Sequence, residues 1–174
     1  VYDITCTSAG LFWTETPGAD SYTVSFNNSI EIPVNSGYTA TAANPEGSNN
    51  EWYTNLVDNN RSSKWYVHYA VNGVFGGAYI EFHSQHDFVP TGYVLTTAND
   101  TGNRPGRNPK DWVVKAKLHP DDPWTTIDSI TNDIVLQGVS LTDFEFTLDN
   151  TTPYRYFRFE VLDVKKTTDA RFQL

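Results

Sequence analysis

From Tyr66 onward, apolar and polar residues alternate along the chain. In Ala78-Tyr79-Ile80-Glu81-Phe82-His83, Ile80 and Phe82 share one face while Glu81 and His83 share the other. Trp112-Val113-Val114-Lys115-Ala116-Lys117-Leu118 sends Lys115 and Lys117 toward water. Phe144-Glu145-Phe146-Thr147-Leu148 and Phe157-Arg158-Phe159-Glu160-Val161 repeat the scheme. Half-buried antiparallel strands produce this period of two. No stretch holds an i, i+3, i+4, i+7 apolar face for three turns, so almost no long helix is expected. Turn signals separate the strands without βαβ spacing, which predicts an all-β sandwich or jelly roll.

Residues 1–36 stand apart. Leu11-Phe12-Trp13, a Pro17-Gly18 turn and the alternating Tyr22-Thr23-Val24-Ser25-Phe26 read as strand, turn, strand,. The pattern resembles two strands of a fibronectin type III domain, but this segment is too short for that sandwich of roughly 100 residues. The expectation is an N-terminal β-hairpin extension that buries Trp13 against a main domain spanning 37–174. A stub of a neighbouring module is the alternative.

Charge narrows the partners. With 21 acidic against 12 basic residues the net charge is −9, which opposes a nucleic-acid backbone and purely electrostatic docking on anionic lipid. A lipid-binding surface would need apolar spikes such as Phe75 and Phe88 beside basic loops, and these loops are not basic. No run of about 18 apolar residues exists to span a bilayer. Cys6 is the only cysteine, so no internal disulfide forms,. The start at Val1 reads as an excised piece of something longer.

Two polar loops hold the candidate chemistry. The first, Asn55-Leu-Val-Asp-Asn-Asn-Arg-Ser-Ser-Lys-Trp65, gathers the Asp58 carboxylate with oxygens of Asn59, Asn60 and Ser63 and the carbonyl of Asn55. Hard cations such as Ca²⁺ take six to eight oxygen ligands of these kinds. The plainer reading is an Asx/Ser turn capped by its own side chains. The second loop, Asn99 to Pro109, sets two guanidiniums and several amides on a Gly/Pro frame. Arg and Asn each engage adjacent hydroxyls of a neutral polyol. Arg104 is the freer candidate, because Gly106-Arg107-Asn108-Pro109 resembles a motif shared by discoidin-like domains with unlike ligands, which implies a structural Arg107. Trp52 and Tyr53, ahead of the first loop, are weighed between plugging the sandwich and offering a binding surface. Trp124 closes the His119-Pro-Asp-Asp-Pro turn, which resembles the Asn-Asp-Gly-x-x-Trp site of discoidin-like domains, and that resemblance implies a Trp packed on the sheet.

Asp58-Asn59-Asn60-x-x-Ser63-Lys64-Trp65 resembles the Asp-Gly-Asn-x-x-Thr-Lys-Trp signature of discoidin domains, also called coagulation factor V/VIII type C domains. Bacterial carbohydrate-binding modules of the same galactose-binding-like fold carry that signature too. Thr91–Asp100, Gly106-Arg-Asn-Pro-Lys-Asp-Trp112 and Tyr154-Arg-Tyr-Phe-Arg158 resemble later stretches of the family, in the family's order. The resemblance covers roughly residues 38–174. It implies a discoidin-like antiparallel β-sandwich with a structural Ca²⁺ held by Asn55, Asp58, Asn60 and Ser63. Relatives often complete that site with a Glu following the last strand, beyond Leu174 here. Sugar-binding relatives place a His directly after the Trp, a slot that Tyr66 fills, with His68 two residues on. Vertebrate extracellular members usually carry a disulfide, which one cysteine cannot make, so a bacterial module fits, and an intracellular eukaryotic protein fits equally well.

Catalytic signatures are missing: the sequence holds no Gly-x-Ser-x-Gly elbow, phosphate loop, His-Glu-x-x-His or Cys-x-x-Cys,. His83-x-x-His86-Asp87 lacks a fourth ligand for a transition metal. These observations together imply a non-catalytic, monomeric module of a larger secreted or cell-surface protein. It would bind a glycan through Trp52, Tyr53, Tyr66, His68, Arg104 and Asn108. An adhesion or protein-interaction module using the same loops against a polypeptide is the alternative.

Overall fold

In the computed structural model, the described residues are 50–174 apart from 59, 167 and 169, with the backbone of 4–5, 8–9 and 38–39. The chain divides into two units, Val1–Glu31 and Ile32–Leu174. In the first unit, β1 (Ile4–Thr5) and β2 (Ser8–Ala9) pair antiparallel. The hairpin expected over residues 11–26, and the burial of Trp13, lie outside the described residues.

Among its described residues, the second unit is built on strands apart from three 3-10 turns, at Tyr53–Val57, Thr101–Asn103 and Pro105–Arg107. Its strands are β3 (Tyr38–Thr39), β4 (Tyr66–His68), β5 (Ala70–Val71), β6 (Val74–Phe75), β7 (Ala78–Phe88), β8 (Gly92–Thr96), β9 (Pro109–Lys117), β10 (Thr125–Ile130), β11 (Asp143–Thr147), β12 (Tyr154–Val164) and β13 (Arg171–Gln173). A five-stranded antiparallel sheet runs in the order β10-β9-β12-β7-β3. Across the core lie the antiparallel pairs β11-β8 and β13-β4. This is the antiparallel β-sandwich that the alternation predicts.

The alternation explains which face goes in. Along β9, Trp112, Val114 and Ala116 are buried; along β12, Phe157, Phe159 and Val161 are. Trp112 meets Phe146 of the opposing layer edge-on at 5.3 Å, and Trp65 meets Phe172 at 5.0 Å. The register of β12 against β9 shifts between Val161 and Asp163, so Val164 returns to the core after an exposed Leu162. One polar thread crosses the core: the Trp112 indole donates to the Tyr93 hydroxyl (2.8 Å), which donates to Asp128 (2.6 Å). Burial, with Asp128 accepting that proton, pushes the Tyr93 pKa far above its ordinary value,.

Lys115 and Lys117 point outward but are only half-buried. The Lys115 ammonium pairs with Glu160 at 2.6 Å, and that of Lys117 lies 4.7 Å from the Trp124 ring centre. Long stems lie flat on a sheet face and leave only their heads wet. Phe75 and Phe88 are not surface spikes. Phe75 is a core residue against Phe172, and half-buried Phe88 packs on Phe157 at 5.1 Å.

Candidate functional site

The two polar loops lie side by side. The Asn99 amide donates to the Ser62 carbonyl (2.6 Å), and the buried Lys64 ammonium pairs with Asp100 (2.8 Å) and Glu51 (3.2 Å). They spend their polar groups very differently.

The first loop closes on itself. Asp58 accepts from the Asn60 backbone N–H (2.8 Å) with one oxygen and from the Ser63 hydroxyl (2.6 Å) with the other. The Asn60 side-chain oxygen accepts from the Ser62 N–H, and its carbonyl accepts from the Ser63 N–H, both at 3.0 Å. The Asn55 amide cinches the ends by donating to the carbonyls of Asn50 and Lys64, each at 2.8 Å. This is the geometry of an Asx turn. Asn59 lies outside the described residues. The donor set is the right kind for a hard cation, with one carboxylate, an amide oxygen and a hydroxyl. Yet each oxygen of Asp58 and Asn60 already accepts a bond, so an ion would use their second lone pairs and require the Ser63 hydroxyl to turn.

The second loop is built from inside. Pro105 opens its second 3-10 turn with a preset φ,. Beneath it runs a buried polar chain. Asn108, 1% exposed, donates to the Gln137 carbonyl (3.0 Å) and accepts from the Thr101 hydroxyl (3.3 Å). The Gln173 amide donates to Thr101 (3.5 Å) and its oxygen accepts from Arg107 (3.4 Å). The segment after β12 then closes over the turn, where the Lys165 and Lys166 N–H groups donate to the carbonyls of Asn108 (3.0 Å) and Gly106 (2.8 Å). Gly106 permits this approach, because a Cβ there would stand 2.6 Å from the Lys166 Cβ. The Lys165 ammonium anchors the segment on buried Asp133 at 2.8 Å.

Between these two segments opens a cleft of about 280 Å³ lined by Arg104, Arg107, Lys166 and Arg171, with Asn103 and the Pro105-Gly106 turn. The Arg107 guanidinium also lies 5.2 Å from the Tyr66 ring centre. Tyr66 and His68 stand across from Gln173 and Arg171 in the β4–β13 register, with Val67 between them in the core.

The structure therefore brings Arg104 into the cleft, with Tyr66 and exposed His68 on the strand beside it. Asn108 is placed otherwise than expected: it is inside the fold, both ends of its amide spent on the frame, and cannot reach a ligand. Tyr53 is half-buried against the core, and Trp52, 37% exposed, sits on the neighbouring turn; neither lines the cleft. Arg107, expected to be structural, donates to Gln173 and also lines the cleft. Lys166 and Arg171 escape the sequence reading, and the only local hint of them is the basic run Lys165-Lys166.

A second hollow, about 210 Å³, lies on the outer face of the large sheet among Glu81, His83, Lys117, Trp124 and Tyr156. Its lining cation Lys117 and the neighbouring Arg158 are engaged within the chain. Lys117 bonds the Pro120 carbonyl, Arg158 pairs with Glu81, and both lie against the Trp124 ring. Trp124 packs on the sheet as expected.

No family model matches the chain, and no curated protein matches it. Solved structures do. A family 32 carbohydrate-binding module of Clostridium perfringens, in complex with GalNAc-β-1,3-galactose, matches with a TM-score of 0.57 at 10% identity, over 82% of this chain and 93% of that one. A chitosan-binding module from a chitosanase/glucanase of Paenibacillus sp. IK-5 gives 0.58 at 12% identity, over 80% and 92%. The family 32 module of C. perfringens NanJ, in complex with galactose, gives 0.55 at 13% identity, over 82% and 91%. At such identities the likeness is one of fold: the chain shares the antiparallel β-sandwich of these carbohydrate-binding modules.

Proposed function

We propose that this chain is a non-catalytic carbohydrate-binding module that seats a glycan in the cleft between the Asn103–Arg107 turn and the segment around Lys166. The carrying observation is that cleft, where multi-donor side chains converge beside the Tyr66 ring on a fold shared with modules solved in complex with sugars. Few polar groups fixed in a concavity, with an aromatic surface nearby, suit recognition of a sugar ring. Arg107 is set by the buried Gln173-Thr101-Asn108 chain before any ligand arrives, so little ordering cost is left for binding,. Such a module works as an extracellular appendage that adds avidity to a larger protein. A glycan array probed with the labelled chain tests this. The expected result is retention on a defined sugar class that Arg104→Ala abolishes. A folded chain that binds no glycan overturns it.

The same reading places a calcium ion on the Asp58 loop, where Asp58 and Asn60 supply the charge and oxygens and the Asn55 carbonyl and Ser63 hydroxyl complete the set. An ion bound only by the folded state raises the melting temperature by mass action. Calcium is expected to raise it relative to chelator, and Asp58→Ala to remove the difference. Identical melting curves with calcium and with chelator defeat the assignment.

A further inference from the structure

All twelve lysines and arginines of this acidic chain fall among the described residues, and their distribution is uneven. Arg61, Lys64, Lys110, Lys115, Arg158 and Lys165 each pair with a carboxylate. Among the described residues, Lys117 bonds the Pro120 carbonyl instead, and Arg104, Arg107 and Lys166 likewise pair with no carboxylate, although acidic residues outnumber basic ones 21 to 12. The last three line one cleft, and Arg171 is the fourth cation in its wall.

We propose that the cleft binds the anionic group of an acidic glycan, a uronic acid carboxylate or a sugar sulfate ester. The proposal rests on the glycan-binding reading above and names the class of sugar. Cations gathered in a concavity repel one another, and the field they focus there favours a negative group. Of the five donors that a guanidinium carries, Arg107 has a single acceptor among the described residues, Gln173 at 3.4 Å, and its buried Nε has none. The planar fork of Arg matches carboxylate and sulfate oxygens two at a time, where a neutral hydroxyl offers one. Clefts for drug-sized molecules span about 300–1,000 Å³. At about 280 Å³ this one has room for a single acidic ring, with the Tyr66 ring and exposed His68 next to it. The charge of −9 on the whole chain keeps out polyanions that lack this local fit,.

The test is titration calorimetry of the full chain against polygalacturonate, a sulfated galactan and neutral galactan, at low and high NaCl. At least one acidic polymer is expected to bind ten times more tightly than neutral galactan and to weaken markedly in high salt. The carboxylate and sulfate arms tell the two sources apart. Arg104→Gln and Lys166→Gln are each expected to weaken acidic-polymer binding roughly tenfold, the loss of one charge-assisted contact, with unchanged melting temperatures. Equal, salt-insensitive binding of neutral galactan overturns the anionic assignment and leaves the glycan reading standing. Undiminished binding by the double variant overturns it too. A folded chain that binds none of the three polymers takes both readings down.

Discussion

The Asp58 loop and the Arg104 loop look alike as strings of Asn, Asp, Ser, Arg and Gly, yet they are opposite kinds of object. In the first, side-chain oxygens meet backbone donors two residues away and a hydroxyl five residues away, so the loop's polar capacity is consumed in holding its own shape. In the second, shape comes from below, through Asn108, Thr101 and Gln173, and the upper side chains are left without carboxylates. Composition shows which groups are present. Only the partner of each group shows whether it is available to a ligand.

The sharpest way to break this contrast is Asn108→Leu. It strands the Gln137 carbonyl and the Thr101 hydroxyl in a buried place, at a cost of about 1–3 kcal/mol, seen as a lower denaturation midpoint. Glycan affinity should fall with it as Arg107 loses its setting. Gly106→Ala comes next. Its Cβ meets the base of the Lys166 side chain, which cannot swing away. The forced shift is expected to cost about 1–2 kcal/mol and to distort the cleft, again read by midpoint and affinity together. Asp58→Ala removes two accepted bonds from an exposed turn and should cost about 1 kcal/mol without changing glycan affinity. Were the Asp58 loop part of the ligand surface, affinity would fall and the contrast would fail.

The smallest effect belongs to Arg61→Gln. Arg61 donates to Asp143 at 2.9 Å, and with Thr96 it holds that carboxyl below its usual range. A depressed folded pKa stabilises above the ordinary carboxylate value and is lost as pH falls through the folded one. Both partners are well exposed, so screening leaves about 0.5 kcal/mol at neutral pH. The gap between wild-type and variant melting curves should narrow in acid. A gap that is constant with pH would assign the effect to the Arg61 bond with the Leu141 carbonyl instead.

The sandwich was legible because β7, β9, β11 and β12 keep one face apolar at every second residue, and a strand must bury that face. The shift near Asp163 was not, since Val161-Leu162-Asp163-Val164 gives no sign of which residue is the extra one. Asn108 misled because Gly-Arg-Asn-Pro reads as surface loop, while what buries it, Gln137 and Thr101, comes from elsewhere in the chain. The cleft escaped for the same reason. Arg104 and Lys166 are 62 positions apart, and nothing local marks their convergence.

The paired charges on the outer face of the large sheet carry a consequence for how the strands find one another. Arg158 lies opposite Glu81, two residues before Glu160. If β12 slid two places along β7 in one direction, every apolar side chain would still point inward. Glu160 would then confront Glu81, and Arg158 would face His83. Alternation cannot detect an error of even length, but like charges held opposite one another oppose it. These surface pairs thus act as an alignment check during folding, a task for which their modest strength is sufficient.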